Sequence, residues 1–223
     1  KTYQLNQLKD LKIMEEGAAN TKRPVVFQGS QPVISSPTNS LDIGKAVTDL
    51  TIKSGQKDIA YLSLKLKNTV TFFNVGTTKF LPKDEIRAGK VTNSNGLIFL
   101  KMLGIDPIEF CKPFNESGYQ GKKETGKADL VKLKKFLTSG IGYGYCVVHK
   151  ISTGIKTYTV DKTYLASATQ IQSVNIEYGG KTGTGKRVNI AVKTPKYIIT
   201  MNIRDSAGAD GYPNRIMGDF KYV

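Results

Sequence analysis

The sequence predicts an α+β or α/β fold, a mixed sheet flanked by helices with a β-rich C-terminal part. Three observations carry this. Apolar residues make up 39% of the 223 positions, enough to bury a proper core. The stretch "GKADLVKLKKFLTSG" (126–140) sets apolar residues at 130, 131, 133, 136 and 137, with lysines on the other face, which is helical spacing. From residue 143 onward, segments such as "RVNIAVKT" alternate apolar and polar, which is strand spacing.

The elements follow in order. Leu5, Leu8, Leu11 and Met14 stand near helical spacing and predict an amphipathic helix over 4–16. "GSQPVISSPTNS" (29–40) reads as a Ser/Pro/Gly loop. "KAVTDLTI" (45–52), the turn "KSGQK" and "DIAYLSLKLK" (58–67) predict a β-hairpin. "TVTFFNVG" (69–76) continues as strand or loop, with one of Phe72 and Phe73 in the core and the other half-buried. Pro82 marks a helix start in "LPKDEIRAG", and "NSNGLIFLKMLG" and "DPIEFCKPF" read as short helices. Strands then run through "YGYCVVHKI", "IKTYTV", "IQSVNIEYGG", "RVNIAVKT" and "KYIITMNIR". No internal repeat or linker is visible. The expectation is one domain over 1–223, with an α/β core to 140 and a β-rich part over 141–223.

Thirty-three Lys and Arg against eighteen Asp and Glu give a net charge of +15. Such an excess points to a polyanion, with nucleic acid first. Cys111 and Cys146 are far apart, and with His149 as the single histidine they exclude a zinc site. They read as two reduced, buried thiols of a cytoplasmic protein. No apolar run reaches the length that spans a membrane.

"YGGKTGTGKR" (178–187) comes close to the phosphate-cradling G-x-x-x-x-G-K-[ST] loop. Such a loop opens a helix, whose N-terminus helps hold phosphate. Here the alternating Val188, Ile190 and Val192 follow, and Arg187 replaces the magnesium-binding Ser or Thr. The stretch therefore reads as a glycine turn between strands, carrying Lys181, Lys186 and Arg187 toward a phosphate backbone. "NIRDSAGADGYPNR" adds Arg204, Asn214 and Arg215, side chains suited to phosphates and base edges. The lysines of "KLKKF" read as a solvated helix face.

The hairpin carries the candidate chemistry. Alternation puts Asp49 with Thr51 on one face, and Ser63 with Lys65 on one face. Leu62, Leu64 and Leu66 are expected to face the core. An Asp carboxylate and a backbone carbonyl, that of Leu64, are hard oxygen ligands suited to Mg²⁺. A nearby lysine can act on water and stabilise phosphoryl charge. Asp42 and Asp58 are rival acids, and Asp58 falls on the face away from Lys65.

This ordering of helix, Asp strand, turn and x-x-Lys strand over about residues 5–80 resembles the PD-(D/E)xK nuclease superfamily, the fold of many restriction endonucleases. Residues 178–213 look similar to phage-encoded relatives of such nucleases. The resemblance implies a Mg²⁺-dependent (or Mn²⁺-dependent) endonuclease with DNA ahead of RNA as substrate, working in the cytoplasm, that of the host if phage-encoded. It makes Asp49 the metal-binding Asp and Lys65 the catalytic Lys. Ser63 stands where the family has Glu, and Glu16, next to Glu15, is a compensating ligand. Double-strand cutting would imply a homodimer. The alternative is a non-catalytic nucleic-acid-binding or virion-associated protein on a degenerate nuclease fold, which the missing carboxylate at Ser63 favours.

Overall fold

The computed structural model describes residues 10–16, 23–66, 69–119, 122–125, 127–179, 186–205 and 210–222. These form a mixed α+β fold with a β-rich C-terminal part, divided into two compact units. One unit draws on Lys1–Lys22, Ser36–Val70 and Gly142–Leu165, the other on Arg23–Ser35, Thr71–Ile141 and Ala166–Val223.

The first unit is built on a five-stranded sheet. Its strands are β1 (Leu11–Glu15), β4 (Leu50–Ser54), β5 (Lys57–Lys65), β8 (Tyr145–Ile151) and β9 (Gly154–Val160), ordered β1-β4-β5-β8-β9. Neighbours are antiparallel except β5 and β8, which are parallel. The short helix α1 (Gly44–Val47) packs on β5 and β8.

Three expectations are corrected in this unit. Residues 11–15 form the edge strand β1 where a helix is predicted over 4–16, and residues 4–9 lie outside the described residues. Apolar spacing of three fits a strand poorly, but pairing with β4 satisfies the backbone and sets Ile13 opposite Ile52. The stretch 45–52, expected as strand, folds as α1 and then β4, so Asp49 precedes its strand.

The third correction concerns the faces. Ser63 is 2% exposed, whereas Leu64 and Leu66 are 38% and 77% exposed. The buried face is therefore the Ser63 face, opposite the expectation for Leu62, Leu64 and Leu66. Its in-sheet neighbours Tyr145, Val147 and Val160 are buried with it, and Ser63 pairs directly with Val147.

The second unit holds β2 (Val25–Gln28) and β3 (Gln31–Ile34), an antiparallel pair whose second strand lies inside the stretch 29–40 expected as loop. It also holds a six-stranded sheet made of β6 (Val70–Gly76), β7 (Lys122–Thr125), β10 (Ser173–Tyr178), β11 (Arg187–Lys193), β12 (Tyr197–Arg204) and β13 (Arg215–Tyr222). Their order is β6-β13-β12-β11-β10-β7. Strands β10 to β13 pair antiparallel in sequence. Val188, Ile190, Met201, Ile203, Ile216 and Phe220 bury one face of this sheet. Phe73 is buried and Phe72 half-buried, as the sequence predicts. Gly218 is required by close approach, since a Cβ there would lie 2.3 Å from the Phe73 ring.

The helices are α2 (Lys83–Arg87), α3 (Ser94–Leu103), α4 (Pro107–Asn115), α5 (Leu130–Ile141) and α6 (Lys162–Ala168). Helix α3 starts where the Asn93 side chain accepts from the Asn95 and Gly96 N–H groups, and ends at Gly104 in a left-handed conformation. Helix α5 buries Leu133, Phe136 and Leu137 and leaves Lys134 and Lys135 exposed, the predicted solvated face.

Two local predictions arise here. Glu85 Oε2 accepts from the Thr92 and Asn93 N–H groups at 2.6 and 2.8 Å. These bonds, Asn93 first, hold the carboxyl below its usual range. A depressed folded value stabilises above the unfolded pKa, and the gain is lost as pH falls through the folded value. Thermal melts of the parent and Glu85→Gln should therefore differ most near neutral pH and converge in acid. A constant gap would remove the assignment.

Cys111 on α4 is fully buried, and burial pushes its thiol up to about 11. Cys146 on β8 is only half-buried, where the sequence predicts a buried thiol. A thiolate-selective disulfide reagent should titrate Cys146 in the native protein and Cys111 only after unfolding. Equal native rates would contradict this.

Candidate functional site

The structure brings Asp49, Ser63, Lys65 and Glu16 together within the first unit. The last register pair of β4 and β5 at this end is Leu50–Leu62, so Asp49 stands opposite Ser63. Strand β5 runs on past the start of β4, and its backbone donors need partners there. The Leu62 N–H donates to Thr48 Oγ1 at 3.0 Å, and the Leu64 N–H donates to Asp49 Oδ2 at 2.6 Å. The Asp49 N–H donates to the Leu62 carbonyl at 2.8 Å, and the Ser63 hydroxyl donates to Asp49 Oδ2 at 3.3 Å. Thr48 and Asp49 thus continue the ladder with side chains where β4 has not begun.

Glu16 follows a strand, not a helix. Its N–H donates to the Asp49 carbonyl at 3.0 Å, and its Oε1 accepts from the Thr51 hydroxyl at 2.5 Å. Glu16 and Asp49 are exposed, while Thr51 and Ser63 beneath them are buried. Lys65 is half-buried on the Ser63 face and pairs in register with His149, itself 8% exposed. Burial lowers the Lys65 ammonium below the usual lysine range, and the Asp49 charge opposes this only in part. Such a lysine gives up its proton more readily than one on an open surface.

The donor set can be tested against Mg²⁺. That ion takes one or two carboxylates and keeps water or substrate phosphate on its other positions. Asp49 and Glu16 supply two exposed carboxylates, which fits. Among the described residues no group of three or more His, Cys, Asp or Glu could hold a metal, so a protein cage does not fit. Leu64 meets Asp49 through its N–H, and in a strand the carbonyl of the same residue points to the same side.

The rival acids are engaged elsewhere. Asp58 pairs with Lys53 at 2.8 Å and accepts from the Tyr61 hydroxyl at 2.9 Å. Asp42 lies against Gly144, where a Cβ would meet its Oδ1 at 2.2 Å.

The expected nucleic-acid residues fall in the second unit. Lys181 lies outside the described residues. The segment 179–185 joins two antiparallel strands, β10 and β11, and no helix follows it. Lys186 Nζ donates to the Phe114 carbonyl at 2.7 Å. The Asn214 N–H donates to the Arg204 carbonyl at 3.1 Å, and its own carbonyl accepts from the Thr77 N–H at 3.0 Å. Arg187, Arg204 and Arg215 stand side by side, because β11, β12 and β13 pair Arg187 with Arg204 and Arg204 with Arg215.

Sequence reasoning misses Thr48 at the hairpin and the polar groove beside those arginines. The asparagines of "RVNIAVK" and "YIITMNIR" alternate with the core residues and are the signal that could have found the groove. Comparison with protein-family models, curated proteins and solved structures finds no match. No helix among the described residues is long and apolar enough to cross a membrane.

Proposed function

We propose that the chain is a Mg²⁺-dependent DNA endonuclease that hydrolyses phosphodiester bonds at the Asp49–Lys65 hairpin. One observation carries the reading. A half-buried lysine lies within reach of the charge of a carboxylate that Ser63 and the Leu64 N–H hold in place. Asp49 and Glu16 would hold Mg²⁺, which when bound polarises a phosphoryl oxygen and acidifies water. Lys65 takes a proton from the attacking water in its neutral form, or faces the developing phosphoryl charge as an ammonium. Ser63 fixes the Asp49 rotamer in place of supplying a ligand. Cytoplasmic residence and a two-fold dimer for double-strand cutting belong to the same proposal.

A second reading is nucleic-acid binding without cleavage, as in a degenerate or virion-associated relative. It is favoured because Asp49 Oδ2 already accepts two hydrogen bonds and no third carboxylate joins the cluster among the described residues. Plasmid DNA incubated with Mg²⁺ or Mn²⁺ separates the readings. Nicking that EDTA abolishes supports the first, and DNA retained uncut with either metal supports the second.

A further inference from the structure

The six-stranded sheet has a second face, opposite its apolar core, where the residues alternating with Val188, Ile190, Met201 and Ile203 emerge. Read across the strands, this face is ordered in rows. One row is Arg187, Arg204 and Arg215 on β11, β12 and β13. The next row along the strands is Lys123, Glu177, Asn189 and Asn202 on β7, β10, β11 and β12. These four, with Asn175 and Thr200, line a groove of about 500 Å³.

Three guanidinium groups in adjacent register is an unfavourable arrangement for a protein alone. Directly opposed side chains in neighbouring strands sit about 5 Å apart, and like charges there repel. All three arginines are half-buried. None forms an ion pair with a carboxylate among the described residues. Nε of Arg187, Nε of Arg204 and Oδ1 of Asn189 are buried with no hydrogen-bond partner among the described residues. Burial, and then the charge of Arg204, lowers the affinity of Arg187 for its proton. Buried polar atoms are nearly always paired, so unpaired donors beside a groove mark a place where an outside acceptor completes them.

We propose that this sheet face binds a nucleic-acid strand, with the Arg187–Arg204–Arg215 row on its phosphates and the groove amides against base edges. Guanidinium groups suit phosphate oxygens because their donors form a planar fork. Asn189 Nδ2 makes a long bond to Glu177 Oε2 at 3.5 Å and Asn202 Nδ2 one to Asp219 Oδ2 at 3.4 Å, bonds that a base edge can replace, while Asn189 Oδ1 has no partner among the described residues. The +15 charge of the whole chain supplies the attraction at longer range. The site belongs to the second unit and does not depend on cleavage at the hairpin.

The test is fluorescence anisotropy of a labelled single-stranded oligonucleotide over a range of salt. It is done in EDTA, so binding is read whether or not the hairpin cuts. The triple variant Arg187→Gln/Arg204→Gln/Arg215→Gln should flatten the slope of log K against log salt by about 2, since each lost phosphate contact removes about 0.7. A matched variant, Lys101→Gln/Lys134→Gln/Lys135→Gln, removes the same charge from exposed helix positions and should flatten it far less. Should the triple variant fold poorly, Arg204→Gln alone removes the central charge. It should lower the slope by about 0.7 without lowering the melting temperature, because it relieves repulsion on both sides. Equal losses in the two triples, or a slope unchanged in Arg204→Gln, overturns the proposal.

Discussion

Lys65→Ala should slow DNA cleavage by about 10²–10³-fold, or roughly 3–4 kcal/mol in the barrier, while DNA affinity stays within a few-fold of the parent. The separation follows from where the interaction is made. Lys65 acts on the attacking water and the developing phosphoryl charge, so its main contribution is to the transition state. In ground-state binding it is one cation among the thirty-three that the sequence supplies.

Lys65→Arg then divides the two roles. Arginine stays charged at all working pH values, so it can stabilise phosphoryl charge and cannot serve as a base. The parent rate should rise with pH through the lowered Lys65 value, because only the neutral amine accepts a proton. If Lys65 acts as the base, Lys65→Arg should lose that rise. Asp49→Ala should also abolish cleavage, and it carries a structural cost because the Leu64 N–H loses its acceptor. Single-turnover rates with filter-binding affinities measure all three variants. A Lys65→Ala protein that cuts at the parental rate would remove the hairpin from the active-site proposal.

The same geometry explains why serine occupies position 63. The side chain is 2% exposed and contacts Asp49. A glutamate there would place a second carboxylate in a buried position beside the first, where one of the two would have to take up a proton. Ser63→Glu should therefore destabilise the first unit and not restore a metal ligand.

The hairpin was legible because its information is local. Ser63 and Lys65 lie on β5 and Asp49 directly precedes β4, the two strands being joined by a short turn, and period-two alternation puts Ser63 and Lys65 on one face. Which face is buried was not legible. Leu62, Leu64 and Leu66 look like a core row, yet the side chains buried beside Ser63 are Tyr145, Val147 and Val160, which the neighbouring strands bring from far along the chain. A small hydroxyl with a hydrogen-bond partner can be buried at little cost, and a leucine can stay exposed at little cost. The arginine row was hidden for a related reason. Arg187, Arg204 and Arg215 were each visible as candidate phosphate contacts, but their adjacency depends on the register of three strands, which distant residues and turns fix together. The sequence of β1 predicts a helix because a short edge segment with apolar residues three apart matches a helical template, and only its pairing with β4 decides the outcome.

Phe99→Ala should cost about 3–5 kcal/mol of stability, the largest single-site loss expected in the second unit. The ring sits on α3 with no exposure and lies in the middle of a run of aromatic contacts. Phe27 meets Phe80 at 5.4 Å, Phe80 meets Phe99 at 4.9 Å, Phe99 meets Phe136 at 5.5 Å, and Phe136 meets Phe73 at 5.9 Å. These rings come from β2, the segment before α2, α3, α5 and β6, so Phe99 ties the helices to the strands of its unit. Neighbours can close little of the resulting cavity. Gly96, one turn earlier on α3, already touches the chain so closely that a Cβ would lie 2.2 Å from the Phe80 carbonyl oxygen. The helix therefore has no room to move toward the gap on that side. Phe27, half-buried at the end of the run, should cost only about 1–2 kcal/mol on truncation, in proportion to the smaller apolar area it removes from water. Urea unfolding of the two variants measures the contrast, with the midpoint shifted and the slope unchanged. Equal shifts would mean that the interior relaxes around position 99, and that the rings are neighbours without being the member that holds the unit together.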